Sequence, residues 1–108
     1  MLQRAQLAYN KGQFKESIQI LVDGRKRSKR DKRTFTQFLE AYYNETALRL
    51  LDADKVEASV TRFEEGLKLL PNSETLKQNL DFAKSEQEWV EISISSILRH
   101  GYPFPSLD

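Results

Sequence analysis

The feature that most constrains this chain is that it matches itself. Gly12-Gln13-Phe14-Lys15-Glu16-Ser17-Ile18 and the residues up to Gly24 align with Asp54-Lys55-Val56-Glu57-Ala58-Ser59-Val60 and the residues up to Gly66 at a shift of 42. The shift pairs Phe14 with Val56, Ser17 with Ser59, Ile18 with Val60, Leu21 with Phe63 and Gly24 with Gly66, and it also pairs Ala5 with Ala47. A fainter third copy lies 34 residues further on, where Val90, Ser93, Ile94, Ile97 and Pro105 answer Val56, Ser59, Val60, Phe63 and Pro71. Self-similarity at such a period signals stacked supersecondary units that bury a shared core between them.

Within each copy the apolar residues fall at i, i+4 and i+7, which is one face of a helix: Phe14, Ile18, Leu21; Val56, Val60, Phe63; Val90, Ile94, Ile97. A serine three residues after the first member, and Gly24 or Gly66 seven beyond it, leave room for close helix approach, so each of these helices is expected to pack tightly on the one before it. The preceding helices are legible too. One runs from about Leu2 to Lys11 and stops at Gly12, a natural left-handed end. Another has Thr34 or Thr36 as its N-cap candidate, followed by the stripe Phe35, Phe38, Leu39, Tyr42, Thr46 and Leu50. The third follows Pro71-Asn72-Ser73, with Glu74 in its first turn and Leu76, Leu80 and Ala83 on its inner face. A strand competes only at Val90 to Ile94, where alternation also fits, and the match to the other copies favours helix.

A chain of 108 residues holds one domain rather than two, and 39% apolar with 31% charged residues suits a soluble helical protein. The units fall at about 1–31, 32–73 and 74–107 of a single domain over 1–108. The absence of Cys excludes disulfide scaffolds, thiolate metal sites and cysteine nucleophiles. No apolar stretch reaches the roughly 18 residues a membrane span requires. The opening Met1-Leu2-Gln3-Arg4-Ala5-Gln6 lacks the build of a signal peptide and reads as helix interior. A cytoplasmic location, and origin as a piece of a longer protein, are the corresponding expectations.

The stretch Asp54-Lys55-Val56-Glu57-Ala58-Ser59-Val60-Thr61-Arg62-Phe63-Glu64-Glu65-Gly66-Leu67-Lys68-Leu69-Leu70-Pro71-Asn72 resembles the turn, second helix and closing Pro-Asn of the tetratricopeptide repeat, and Tyr43, Ala47 and Leu50 match the packing residues of its first helix. The resemblance is close over residues 40–73, fair over 1–31 and weak over 74–107. It implies an all-α right-handed solenoid of three helix-turn-helix repeats. The chain departs from the family in having Ser17, Ser59 and Ser93 where Ala is preferred, and Asp81 at a packing position of the third repeat. The longer first interval implies about eight extra residues near Lys32 to Leu39, read as a backward extension of the second repeat's first helix by about two turns. The expected packing residues are Phe14, Ile18, Leu21, Ala47, Leu50, Val56, Val60, Phe63, Leu67, Val90, Ile94 and Ile97.

Arrays of this family bind peptides or partner helices on the concave face. By resemblance that face holds Leu2, Gln6, Tyr9 and Asn10, then Ala41, Asn44, Leu48, Leu51 and Asp52, then Thr75, Gln78, Phe82, Ser85 and Glu86. Aromatic anchors among amides suit a peptide groove, while the plainer alternative is that Tyr9 and Phe82 pack between helices. The cationic clamp of the chaperone-binding members is absent, because its positions hold Leu2, Gln6, Glu45, Thr75 and Asn79. A protein–protein scaffold or adaptor is the function expected.

Charge adds a second candidate. Arg25, Lys26, Arg27, Lys29, Arg30, Lys32 and Arg33 with the single acid Asp31 give residues 25–33 a net +6, so the remainder carries −5 under a total of +1. The run is open to three readings: a solvated helix end, a contact for nucleic acid, anionic lipid or an acidic partner, or a nuclear localisation signal. Self-association through the long helix is a further alternative, since Phe35, Phe38, Tyr42 and Tyr43 offer more apolar surface than one neighbour covers. The tail His100-Gly101-Tyr102-Pro103-Phe104-Pro105 is expected to lie extended, as a cap on the last helices or docked on another subunit or domain. His100 stands alone, carboxylates such as Glu64-Glu65 suit a solvated face, and the four Gly are scattered. No metal site, phosphate loop, cofactor or enzymatic activity is therefore expected.

Overall fold

Two residues with left-handed backbone set where the helices turn: Gly12 at φ 80° and Asp54 at φ 61°. Glycine adopts this region without penalty, and Asp is among the few other residues that tolerate it. The computed structural model describes the backbone of residues 2–100 and the side chains of residues 2–89. It contains α1 (Leu2–Asn10), α2 (Phe14–Arg27), α3 (Lys32–Asp52), α4 (Val56–Leu69) and α5 (Glu74–His100). Each helix packs on the next, and α3 also packs on α5.

The hydrogen bonds of the two left-handed turns correspond one for one at the 42-residue shift. After α1, the N–H groups of Lys11, Gly12 and Gln13 donate to the carbonyls of Leu7, Tyr9 and Ala8 at 3.1, 3.0 and 2.9 Å. After α3, those of Ala53, Asp54 and Lys55 donate to Arg49, Leu51 and Leu50 at 3.1, 3.0 and 2.8 Å. The ends of α2 and α4 correspond too, with the Ser28 N–H donating to Gly24 and the Leu70 N–H to Gly66. These bonds satisfy carbonyls that a helix end otherwise leaves without partners.

Small residues close the seams between helices. Ser59 is fully buried and its Oγ donates to the Ala47 carbonyl of α3 at 2.7 Å, so α3 and α4 touch backbone to side chain. Ser17, its counterpart on α2, is equally buried and donates to the Phe14 carbonyl of its own helix. Gly24 of α2 lies under the Phe35 ring of α3, and Gly66 of α4 lies against Tyr43 of α3 and Leu76 of α5. The core joins Ile18 and Leu21, Leu39 and Ala47, Val60 and Phe63, and Leu76, Leu80 and Ala83. Phe14 and Leu67 are partly buried against it. Leu50 and Val56 are half-exposed, so they contribute less to the core than the spacing suggests.

The backward extension of α3 is present: the helix has 21 residues and begins at Lys32. It begins ahead of Thr34 and Thr36, and neither is its N-cap. The capping position is Asp31, whose N–H donates to Ser28 Oγ at 3.2 Å. At the start of α5, Ser73 Oγ accepts the Leu76 N–H at 3.2 Å and donates to the Glu40 carboxylate of α3, tying that helix start to its neighbour.

The third helix pair is not formed. A turn is expected before Val90, but α5 is one unbroken helix of 27 residues, about 40 Å long. The position that answers Gly12 and Asp54 is Glu88, a good helix former with no inclination to the left-handed region. No Gly or Pro occurs anywhere from Glu74 to His100 to interrupt the ladder. The same helix replaces the strand considered at Val90 to Ile94. The side chains of Val90, Ser93, Ile94 and Ile97, and the tail after His100, lie outside the described residues.

Candidate functional site

The candidate groove residues sit on α1, α3 and α5, whose order across the surface follows from α3. Tyr42 and Asn44 lie about 200° apart around that helix. Tyr42 stacks on Tyr9 of α1, with ring centroids 4.1 Å apart and planes 16° from parallel. On the opposite flank, Asn79 of α5 donates through Nδ2 to Asn44 Oδ1 at 2.5 Å. Helix α3 is thus flanked by α1 and α5, and between its flanks Gln37, Ala41, Glu45, Leu48 and Asp52 form a stripe in which all but Leu48 are exposed.

Of the residues expected on the concave face, the eight best suited to hold a peptide, Gln6, Tyr9, Asn10, Asn44, Leu48, Leu51, Gln78 and Phe82, do not form one set. Gln6 and Asn10 of α1 and Gln78 of α5 are exposed and free to meet a ligand. Asn44 is committed to Asn79. Leu48 and Leu51 are half-buried and pack against the core. The two aromatics divide. Tyr9 is a packing residue, held by Tyr42 and covered by the Arg49 guanidinium 5.8 Å from its ring centroid. Phe82 is 55% exposed on the side of α5 turned away from Leu76 and Ala83. A residue absent from the sequence-based set joins it: Trp89, 65% exposed, stands seven positions on and shares that side with Gln78, Phe82 and Ser85. The heptad spacing from Phe82 to Trp89 was the available signal, but an expected turn at that point hid it.

The aromatic cluster between α1 and α3 has its own electrostatics. Both the Tyr9 and Tyr42 hydroxyls are buried, and neither meets hydrogen-bond geometry among the described residues. Burial first, then the neighbouring Glu45 carboxylate, raises the Tyr9 phenol to about 12, with Arg49 opposing. Burial and Glu45 raise Tyr42 as well; burial and Glu65 raise Tyr43, with Arg62 opposing. Their unfolded counterparts ionise near the ordinary value of 10.0. A phenol raised on folding stabilises the fold fully below its unfolded pKa, and the contribution is lost as pH climbs through the folded pKa. Denaturant melts should therefore show the phenols' contribution unchanged from neutral pH to about pH 10 and falling toward pH 12. Tyr42→Phe, which removes a hydroxyl that is desolvated without a partner, should be neutral or stabilising by about 1 kcal/mol at pH 7. It should also blunt the alkaline fall, and a loss above about 1 kcal/mol would show that the hydroxyl is bonded.

The basic run occupies a different place. Arg25, Lys26 and Arg27 form the last turn of α2, Lys29 and Arg30 stand in the connection, and Lys32 and Arg33 open α3. Arg25 is half-buried and the other six are exposed. Among the described residues none of the seven is in an ion pair; the pairs present are Arg49–Glu45, Arg62–Glu65 and Lys77–Glu74, each within its own helix. Phe35, which follows the run, is buried beneath α2.

The same packing covers most of the apolar surface that suggested self-association through α3, leaving Phe38 partly buried. Phe35, Tyr42 and Tyr43 are each buried within the chain, because α3 has α1, α2, α4 and α5 as neighbours rather than one. Phe14 meets the Tyr43 ring edge-on at 5.4 Å and carries Arg62 of α4 4.0 Å above its own centroid, closing that side.

Among the described residues no cluster of acidic or His side chains is placed to hold a metal ion, and no helix is long and apolar enough to cross a membrane. Comparison with family models, with curated proteins and with solved structures finds no match.

Proposed function

We propose that the chain is a tetratricopeptide-like α-solenoid module that binds a peptide or a partner helix across α1, α3 and α5. Two helix-turn-helix pairs, α1–α2 and α3–α4, supply the repeats, and α5 stacks on them as a long terminal helix. The observation that carries the reading is the correspondence of the two turns at the 42-residue shift, from the left-handed Gly12 and Asp54 to the matching hydrogen bonds. Stacked pairs of this kind place their first helices side by side and generate extended binding surfaces. The flanking of α3 by α1 and α5 agrees with that arrangement.

Within this surface the ligand contacts are assigned to Gln6, Asn10, Gln78 and Phe82, the amide and aromatic candidates that packing leaves exposed, together with Trp89. The apolar rings provide the anchor and the amides pair with backbone groups of the ligand. The role is scaffolding or adaptor binding, without catalysis or cofactor.

Leu48 packs against the core, so Phe82→Glu is the cleaner test. Peptides selected from a display library on the wild-type chain should lose at least about tenfold in affinity for Phe82→Glu, a hot-spot-sized effect. Thermal melting should be unchanged, because Phe82 is exposed. Peptides that bind both proteins equally would place the binding surface elsewhere.

A further inference from the structure

The α2–α3 connection carries a second candidate surface, distinct from α1, α3 and α5 groove residues. Its charge has two parts with different explanations. Arg25, Lys26 and Arg27 occupy the last turn of α2, where cations complement the helix dipole and need no ligand. Lys32 and Arg33 do the opposite. They lie in the first turn of α3, at the positive end of a 21-residue helix, with no acidic residue in that turn and no side-chain bond from the Asp31 cap. Lys29 and Arg30 crowd the same spot from the connection. Folding gains nothing from this arrangement, and among the described residues no carboxylate pairs with any of the seven. Breaches of local rules without compensation within the fold are expected at functional sites.

We propose that this turn docks on the phosphate backbone of double-stranded nucleic acid, without reading its sequence. Four of the seven bases are Arg, whose planar fork matches phosphate oxygens in pairs. The run itself contains no aromatic or aliphatic side chain, and the nearest, Phe35, is 5% exposed. Stacking on unpaired bases therefore has no platform here, and a lipid bilayer would find no side chain to insert. What the turn presents is phosphate-directed positive charge alone, which positions a protein on a duplex but does not select a sequence. The −5 carried by the rest of the chain repels the same polyanion, so contact is confined to this face and the overall charge of +1 does not oppose it.

The number of exposed bases sets the measurable outcome. Six phosphate contacts give a slope of about −5 in log affinity against log salt, or roughly a thousandfold loss between about 50 and about 200 mM. The full chain would be titrated into a fluorescently labelled DNA duplex of arbitrary sequence at several salt concentrations, with anisotropy as the readout. Neutralising Lys29→Gln, Arg30→Gln, Lys32→Gln and Arg33→Gln together should bring the slope to about −2. It should not unfold the protein, since it removes cations from the wrong end of α3, and a melt checks this. The paired variants Lys29→Gln with Arg30→Gln, and Lys32→Gln with Arg33→Gln, should each bring the slope to about −4, which keeps the test decisive if the fourfold variant is unstable. Absence of duplex binding at low salt would overturn the proposal, as would binding that the neutralised variant retains. Preference for phosphatidylserine vesicles that the duplex fails to displace would overturn it too. The peptide-binding surface could fail its own test without affecting this one.

Discussion

Phe63→Ala is expected to cost the domain about 3–5 kcal/mol, the range for truncating a fully buried Phe. Phe63 is 0% exposed and stands in the middle of α4, the helix that packs on both α3 and α5. The loss combines the transfer of the ring's apolar surface with a cavity that the neighbouring helices fill only in part. A domain of this size has about 5–15 kcal/mol in total. The midpoint of thermal unfolding should therefore fall by more than about 10 °C, or the fold should be lost at the outset. Phe82→Ala is the internal comparison: the same chemical change at a 55% exposed site should cost less than about 0.5 kcal/mol. Equal losses at the two positions in denaturant melts would mean that the inner and outer faces of α4 and α5 are assigned incorrectly.

The sequence carried enough to tell these two phenylalanines apart, but not enough to tell Tyr9 from Phe82. Phe63 follows Val56 and Val60 at helical spacing and has a counterpart in Leu21 at the 42-residue shift, so periodicity and self-similarity agree about it. By the family resemblance Tyr9 and Phe82 are both expected on outward positions. They differ because Tyr9 meets Tyr42, a residue 33 positions away on α3. Contacts of that kind arise from tertiary packing and leave no local signature.

The third helix pair failed for a complementary reason. Apolar residues at i, i+4 and i+7 specify a helix face, but they do not say whether that helix is new or continues the previous one. The deciding residue is the one required to turn. Gly12 announces a turn in any context. Asp54 does so only weakly, since Asp merely tolerates the left-handed region. Glu88 argues against a turn, and that local preference outweighs the faint similarity of Val90, Ile94 and Ile97 to the earlier copies. The exposed side of α5 carrying Phe82 and Trp89 is a consequence, because an uninterrupted helix keeps residues seven apart on one face.

Gly66→Val should be the second severe substitution, at about 3 kcal/mol, the upper part of the usual range for overpacking. A Cβ at Gly66 would stand 2.9 Å from Tyr43 Cγ and 3.0 Å from both Tyr43 Cβ and Leu76 Cδ1. The position of Tyr43 Cβ is fixed by the α3 backbone, so no side-chain rotation relieves the contact and α3 and α4 must separate. At Gly24 a Cβ would stand 2.5 Å from the Phe35 ring, itself buried, so that seam is close too, although the obstacle there is the far edge of a side chain and not an atom fixed by the backbone. Ala58→Val on the exposed face of α4 supplies the control, since it introduces the same side chain into the same helix at a cost of about 0.6 kcal/mol from propensity alone. If the two variants lost stability equally, the close approach of α3 and α4 at Gly66 would be wrong. If Gly66→Val is the more damaging, the α3–α4 seam is confirmed as rigid. That seam holds α3 at a fixed distance from α4 and α5, and so fixes where Gln78 and Phe82 stand relative to Gln6 and Asn10 across the proposed peptide-binding face.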